Sequence, residues 1–148
     1  MHPDNIITGK YVLVVDDEQD ILDSVEDILD MCNLDTASSF TEAKRLLMEN
    51  NYDIAILDIM GVDGYQLLKI ANIQNIPAVM LTAQASTSDN LYRLCEAGAA
   101  NYVPKIKMHE LDICLVDVFQ AIEAGKNSWE KGFERFCISS TLNYVEND

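Results

Sequence analysis

Three aspartates in this sequence each follow a short apolar run of the kind that forms a buried β-strand. Asp16 and Asp17 come directly after residues 11–15, and Asp58 follows residues 54–57. Ligands of open parallel sheets bind at the carboxyl ends of the strands. If these two strands are central neighbours, the three carboxylates converge, and they must hold a cation or share protons to coexist. The residue types therefore indicate either a cation site or a cluster of carboxylates that share protons.

Two further predicted strands end at polar side chains of other types. Residues 77–81 end at Thr82, and residues 100–103 lie just before Lys105. The same sheet edge would thus collect three carboxylates, a hydroxyl group and an ammonium group. Chance would rarely place each of these groups at the end of a strand.

The elements that must position these residues begin with a helix after Asp17. Acidic residues 23, 27 and 30 face away from its apolar stripe, which consists of Ile21, Leu22, Val25, Ile28, Leu29 and Cys32. A short, weak strand is predicted at residues 35–37. Thr41 is then predicted to cap a second helix.

Three more helices are predicted farther along the chain. A turn at residues 61–64 leads to the third helix, Ser88 or Asp89 caps the fourth, and Gly98 ends the fourth. The apolar positions of the last two helices are Leu91, Leu94, Cys95, Leu111, Leu115, Val118 and Ile122. Five strands alternating with five helices predict an α/β fold, with a doubly wound five-stranded parallel sheet and helices on both faces.

The composition excludes several classes of protein. At 148 residues the chain is the size of one domain, and its 49% hydrophobic content excludes bulk disorder. No apolar stretch approaches the roughly 20 residues of a membrane helix, and residues 1–5 do not begin a signal peptide. The formal net charge of −15 opposes binding to nucleic acid and to anionic membranes, and it favours basic protein surfaces. We expect a cytoplasmic protein.

The cysteines predict no zinc site. Cys32, Cys95, Cys114 and Cys137 are widely and irregularly spaced, no two of them form a Cys-x-x-Cys pair, and the two histidines do not complete a zinc set. Buried, reduced thiols are the simpler expectation.

The sequence resembles a known family in the types of these motifs and in their order along the chain. From Tyr11 to about Gly125 the chain resembles the receiver domain of two-component response regulators, through Val14-Val15-Asp16-Asp17, Leu57-Asp58, Leu81-Thr82-Ala83, Gly98-Ala99 and Tyr102-x-x-Lys105. The order of these motifs at successive strand ends makes the match specific. The resemblance implies the flavodoxin-like strand order 2-1-3-4-5, with residues 1–125 as the receiver domain.

The resemblance also implies a phosphorylation site with a metal ion. Asp58 corresponds to the phosphoacceptor and also to a magnesium ligand, Asp17 to a direct magnesium ligand and Asp16 to a residue that acts on the metal through water. The backbone carbonyl of Met60 corresponds to a further ligand. Magnesium, a hard cation, commonly binds one or two carboxylates together with phosphate oxygens and water, so Mg²⁺ is the expected cofactor.

The remaining matched residues correspond to the phosphate contacts and the switch. Thr82 and Lys105 match the residues that contact the phosphoryl group, and Tyr102 matches the aromatic switch residue. A Thr82 hydroxyl drawn toward the phosphoryl group would vacate space into which Tyr102 could turn. The face built from the fourth helix, fifth strand and fifth helix would then change shape.

The chain departs from the family pattern in two loops. The family usually has Lys followed by Pro with a cis bond between them, whereas here Pro104 precedes Lys105 and Ile106 follows it. The loop after Asp58 is about two residues shorter than the common pattern and lacks its Met-Pro pair.

Residues 126–148 extend past the usual end of a receiver domain and are too short for a DNA-binding output domain. Aromatic residues at helical spacing predict a helical extension there, followed by an acidic tail; they are Trp129, Phe133 and Phe136. This helix either docks on its own domain or forms a homodimer or partner contact. The homodimer or partner contact is suggested by the extra apolar area that Ile113, Val116 and Phe119 add to the fifth helix.

Three functional hypotheses follow. In the favoured one the chain is a single-domain response regulator, phosphorylated on Asp58 by a histidine kinase or phosphotransfer protein, which then signals to a downstream protein. It is not an enzyme beyond catalysing its own phosphorylation and slow dephosphorylation. The alternative is a receiver-like scaffold that is not phosphorylated and acts by protein contact. A phosphohydrolase of the Asp-nucleophile type is weaker, because Met60 stands where such enzymes usually carry a second Asp.

Overall fold

Five short parallel strands form the sheet in the computed structural model, which describes residues 6–83 and 88–125, with only the backbone of Ser88 and Asp89. The strands are β1 (Tyr11–Val15), β2 (Asn33–Ala37), β3 (Ile54–Asp58), β4 (Ala78–Thr82) and β5 (Asn101–Pro104). Their order in the sheet is β2-β1-β3-β4-β5, which confirms the doubly wound, flavodoxin-like fold class.

The register of the sheet brings the predicted strand ends to one edge. Val15, the residue before Asp16, pairs with Leu57, the residue before Asp58. Asp16 and Asp58 therefore lie side by side at the carboxyl ends of two adjacent central strands. Thr82, at the end of β4, pairs with the residue that precedes Lys105 on β5. Strand register alone therefore brings four predicted site residues to the same sheet edge: Asp16, Asp58, Thr82 and Lys105.

Helices cover both faces of the sheet, with α1 packed beside α5 and α2 beside α3. Within the described residues they are α1 (Gln19–Ile28), α2 (Phe40–Glu49), α3 (Gly64–Ile73), α4 (Ser88–Glu96) and α5 (Leu111–Glu123). A 3₁₀ helix, Lys105–Glu110, connects β5 to α5. None of the helices in this part of the chain is long and apolar enough to span a membrane.

The core lies where the central strands meet the helices on either side. Residues 12–15 and 54–57 are fully buried, which explains why their sequences are continuously apolar rather than alternating. Each fully buried Val, Leu or Ile side chain contributes roughly 1.5–3 kcal/mol relative to an exposed one. Burial of these runs fixes the backbone that presents the carboxylates at the sheet edge.

The start of α2 differs from its prediction. The helix begins at Phe40, and Ser39 rather than Thr41 is the N-cap, because the Ser39 hydroxyl accepts a hydrogen bond from the Glu42 N–H at 3.2 Å. The Glu42 carboxylate in turn accepts a bond from the Ser38 N–H at 3.1 Å. This reciprocal pairing resembles a capping box, which a serine three residues before a glutamate signals.

Two expectations about apolar helix faces are wrong. Cys95 on α4 and Ile122 on α5 are exposed, so the thiols are not all buried, although Cys114 is. Phe119, expected to add apolar area for a partner, is instead buried, and the Lys10 ammonium group lies 5.2 Å from its ring centroid. Val116 is buried as well. Ile113 alone of that proposed set is exposed.

The positive φ of 93° at Gly98 is the left-handed conformation that ends a helix, as predicted for the end of α4. The predicted extension at residues 126–148 lies outside the described residues, as do Cys137 and the side chains proposed to cap α4.

Candidate phosphorylation site

The ammonium group of Lys105 contacts three carboxylates at the sheet edge, two that follow β1 and one at the end of β3. Its Nζ lies 2.9 Å from Asp16 Oδ2, 3.2 Å from Asp58 Oδ1 and 3.1 Å from Glu18 Oε1. The side chain of Lys105 is largely buried, at 12% exposure. A cation is therefore held between the two buried carboxylates that follow the central strands.

Asp16 is the most deeply buried acid of the site. One oxygen, Oδ1, accepts a hydrogen bond from the Glu18 N–H at 2.9 Å. The other, Oδ2, is buried and accepts no well-directed hydrogen bond, so that the nearby Lys105 ammonium acts on it as an ion-pair partner. Desolvation raises the pKa of Asp16, against the lowering effect of the Glu18 N–H and of Lys105.

Lys105 itself is held firmly in its charged form. Burial alone would lower the pKa of Lys105, but the close contact with the Asp16 carboxylate, the hydrogen bond to Glu18 and the negative charge of Asp58 outweigh burial and raise that pKa above its ordinary value. The ammonium group is thus a fixed positive charge beside Asp58 at any physiological pH.

The loop after β3 orients Asp58. The Oδ2 atom of Asp58 accepts a hydrogen bond from the Gly61 N–H at 3.1 Å. The chain then turns through Asp63, whose φ of 55° is left-handed, and enters α3 at Gly64. A Cβ atom at Gly64 would collide with the carbonyl oxygen of Asp58. The glycines permit a tight turn that keeps one Asp58 oxygen bonded to backbone and leaves the other toward Lys105.

Gly61 also makes room for Asp17. A Cβ atom at position 61 would collide with the carboxylate of Asp17, which lies against this glycine. Asp17 is exposed, so its carboxylate can move aside without disturbing the core. The short loop after Asp58 therefore controls where Asp17 presents its oxygens.

We predict that Gly61→Ala weakens divalent-metal binding about tenfold, in line with the effect of displacing residues that orient metal ligands. The added methyl group should rotate the Asp17 carboxylate out of position while the buried core is unaffected. Isothermal titration with Mg²⁺ measures the affinity, and thermal unfolding in EDTA serves as the control for folding. Unchanged affinity in a folded variant would contradict a role for Asp17 in metal binding.

Asp16, Asp17 and Glu18 form a group suited to a hard cation. Each offers one carboxylate oxygen, and the three oxygens lie within 4.8 Å of one another. Oxygen donors of this kind suit Mg²⁺. The residues therefore fit the ion that the sequence led us to expect.

Sequence reasoning missed Glu18. Its position directly after the aspartate pair was visible, but its contact with Lys105 joins residues 87 apart in the chain. The change of order to Pro104-Lys105 leaves no cis peptide bond among the described residues, and Lys105 still reaches Asp58.

Thr82 and Tyr102 lie where the strand pattern placed them. Thr82 is half-buried at the end of β4 and lines a cleft of about 250 Å³ together with Asp58 and Ala83. Tyr102 on β5 is fully buried. The Met60 side chain is 82% exposed and lines the same cleft.

The family model of the response regulator receiver domain matches residues 12–115. The chain belongs to the response regulator receiver family. Proteins of this family act in two-component signalling, bind Mg²⁺ at an acidic pocket, interact with kinases or other proteins, and are not enzymes in the usual sense.

Individual relatives match the chain in sequence or in structure. A heme response regulator of Staphylococcus aureus strain Newman, HssR, is 36% identical over 122 residues, covering 78% of this chain and 54% of the relative. The receiver domain of Francisella response regulator 1452 is 29% identical, with a TM-score of 0.69, covering 77% of this chain and 99% of that one. DrrB of Thermotoga maritima, described as an OmpR/PhoB homologue, is 27% identical with a TM-score of 0.66. The match covers 80% of this chain and 55% of the DrrB chain.

The receiver domain described here spans about half the length of the curated relatives that it matches.

Proposed function

We propose that this receiver domain is a phosphorylation switch in which Asp58 accepts a phosphoryl group in a magnesium-dependent reaction. The observation that carries the proposal is the position of the Lys105 ammonium group between Asp16 and Asp58. A positive charge beside the nucleophile is placed to stabilise negative charge on a phosphoryl oxygen during transfer.

Different residues would have different roles in transfer of the phosphoryl group. An oxygen of Asp58 forms the new bond to phosphorus, and the bond from phosphorus to the donor breaks with its electron pair leaving on the donor. Lys105 and the Thr82 hydroxyl contact the phosphoryl oxygens. Asp16, Asp17 and the Met60 carbonyl would hold Mg²⁺, which supplies further stabilisation of charge on those oxygens.

The signal would leave the site through Thr82 and Tyr102. Tyr102 is fully buried in the structure, and the phosphoryl group would draw the Thr82 hydroxyl toward β3. We propose that this movement changes the packing around Tyr102 and thereby the surface formed by α4, β5 and α5. The donor would be a histidine kinase or phosphotransfer protein, and the receiver domain would act as a single-domain regulator that contacts a downstream protein.

The proposal predicts that the protein gains one phosphoryl group when incubated with Mg²⁺ and phosphoramidate. Intact-mass spectrometry measures the gain, and peptide mapping after borohydride reduction locates it. Label should be found on Asp58 and should not form when EDTA removes the metal ion, because the three carboxylates then repel the donor.

Other results would favour the other hypotheses. No gain of mass with phosphoramidate or acetyl phosphate would support the unphosphorylated scaffold instead. Rapid release of inorganic phosphate from phosphate esters over many turnovers would support a phosphohydrolase.

A further inference from the structure

We propose that the cleft beside Asp58 receives the leaving group of a phosphodonor and that Arg93 selects donors whose leaving group is a carboxylate. The proposal rests on the proposed function, because it concerns the donor side of the same reaction. It assigns a role to Arg93 and Tyr65, which none of the sequence motifs includes.

The cleft is lined by the β3–α3 loop and by α4, and the phosphoacceptor is one of its lining residues. Asp58 and Thr82 line it together with Met60, Tyr65 and residues of α4. Its volume of about 250 Å³ suits a small molecule rather than a folded partner. A donor that places phosphorus at Asp58 would direct the remainder of its structure into this space.

Arg93 gives the cleft its charge. Among the described residues that line the cleft, Arg93 is the only cationic one, and no carboxylate of the described residues pairs with it. The guanidinium carbon lies 5.5 Å from the centroid of the Tyr65 ring. Stacking on an aromatic face orients the guanidinium group and leaves its N–H groups able to bind a carboxylate in a bidentate manner.

The charge of Arg93 is opposite to that of the chain as a whole. Arg93 is exposed, and Leu91 and Leu94 are buried at the wall of the cleft beside it, so an anion in the cleft can reach the guanidinium group and accept a charge-assisted hydrogen bond from it. The acidic surface of the chain, with a net charge of −15, would otherwise repel an anionic donor.

The reaction with an acyl phosphate distinguishes this role from that of Lys105. An oxygen of Asp58 bonds to phosphorus, the bond between phosphorus and the bridging acyl oxygen breaks, and a carboxylate leaves with the electron pair. Negative charge therefore develops on the leaving group, where Arg93 can donate hydrogen bonds to it. With phosphoramidate, the phosphorus–nitrogen bond breaks and neutral ammonia leaves, so that this interaction has no counterpart.

The test compares rate constants for phosphorylation by acetyl phosphate and by phosphoramidate in the presence of Mg²⁺. We expect Arg93→Gln to lower the ratio of the acetyl phosphate rate constant to the phosphoramidate rate constant about five- to tenfold. Arg93→Lys, which keeps the charge but not the planar fork, should recover part of the ratio. Tyr65→Leu, which removes the stacking ring, should lower it.

Arg45→Gln is the matched control, because Arg45 lies on α2 in an exposed pair with Glu49. The control should retain the wild-type ratio, and thermal unfolding should show that all variants fold. Equal losses with both donors, or an unaltered ratio, in folded Arg93→Gln would overturn the role of Arg93 while leaving the proposed function in place. No labelling of the wild-type protein by either donor would overturn both proposals.

Discussion

Asp58→Asn should abolish phosphorylation while leaving the protein folded. An asparagine amide lacks the anionic oxygen that attacks phosphorus. Its carbonyl oxygen can still accept the hydrogen bond that the Gly61 N–H donates to Asp58. Removing the Asp58 charge also removes one of the influences that raise the pKa of Asp16. Lys105 loses one carboxylate contact but keeps those with Asp16 and Glu18, so the free energy of unfolding should change little.

The measurement for this variant is intact mass after incubation with Mg²⁺ and phosphoramidate, followed by urea unfolding. Asp63→Asn is a matched control, since Asp63 is exposed in the same loop and asparagine tolerates its left-handed φ of 55°. The control should gain one phosphoryl group as the wild-type protein does. A phosphorylated Asp58→Asn protein would show that another carboxylate, such as Asp16 or Asp17, is the acceptor.

Lys105→Met should have the second large effect, on stability as well as on phosphorylation. It leaves the buried Asp16 and Asp58 carboxylates without their shared cation. Removing one partner of a buried ion pair costs about 3 kcal/mol of unfolding free energy. The rate of phosphorylation should fall about 10²- to 10³-fold, as when one group that stabilises transition-state charge is removed.

Metal and pH should each relieve the instability of Lys105→Met. Mg²⁺ can replace the lost positive charge, so that it should stabilise the variant more than the wild-type protein. Desolvation raises the pKa of Asp16 in the folded state. The contribution of Asp16 to the stability of the variant should therefore be greatest at low pH, where Asp16 is protonated, and it should be lost as the pH rises through the folded-state pKa.

Urea unfolding with and without Mg²⁺, at several pH values, measures these differences. Lys44→Met is the matched control, because Lys44 is exposed on α2, and it should change the unfolding free energy by less than about 0.5 kcal/mol. Equal stability losses in the two variants, or no additional stabilisation by Mg²⁺, would contradict the role of Lys105 as the internal cation of the site.

Local sequence patterns were sufficient for the order of elements and for the strand ends. Asp16, Asp58 and Thr82 follow runs that are apolar because both faces of the sheet are covered, so that burial alone marks where each strand stops. The predicted start of α2 was wrong. Ser39 and Thr41 are both good caps, and only the hydrogen bond from Glu42 distinguishes them.

Apolar residues on a helix were harder to interpret than those in strands. Phe119 was expected on the surface, but it is buried beneath the Lys10 side chain, which is distant in sequence. Ile122, one position in the predicted apolar stripe, is exposed at the last turn of α5. The apolar period of a helix can continue beyond the last residue that packs against the sheet. The sequence of the helix does not show which residue that is.

Local sequence patterns predicted a receiver domain with its carboxylates at the ends of successive strands, because strand periodicity and the order of elements depend on residues near one another in the chain. Tertiary structure alone decided that Lys105 contacts Asp16, Asp58 and Glu18 together. It also decided that Arg93 stacks on Tyr65 beside the phosphoacceptor. Contacts of this kind depend on the packing of separate segments and on the aim of long side chains, which short-range patterns do not encode.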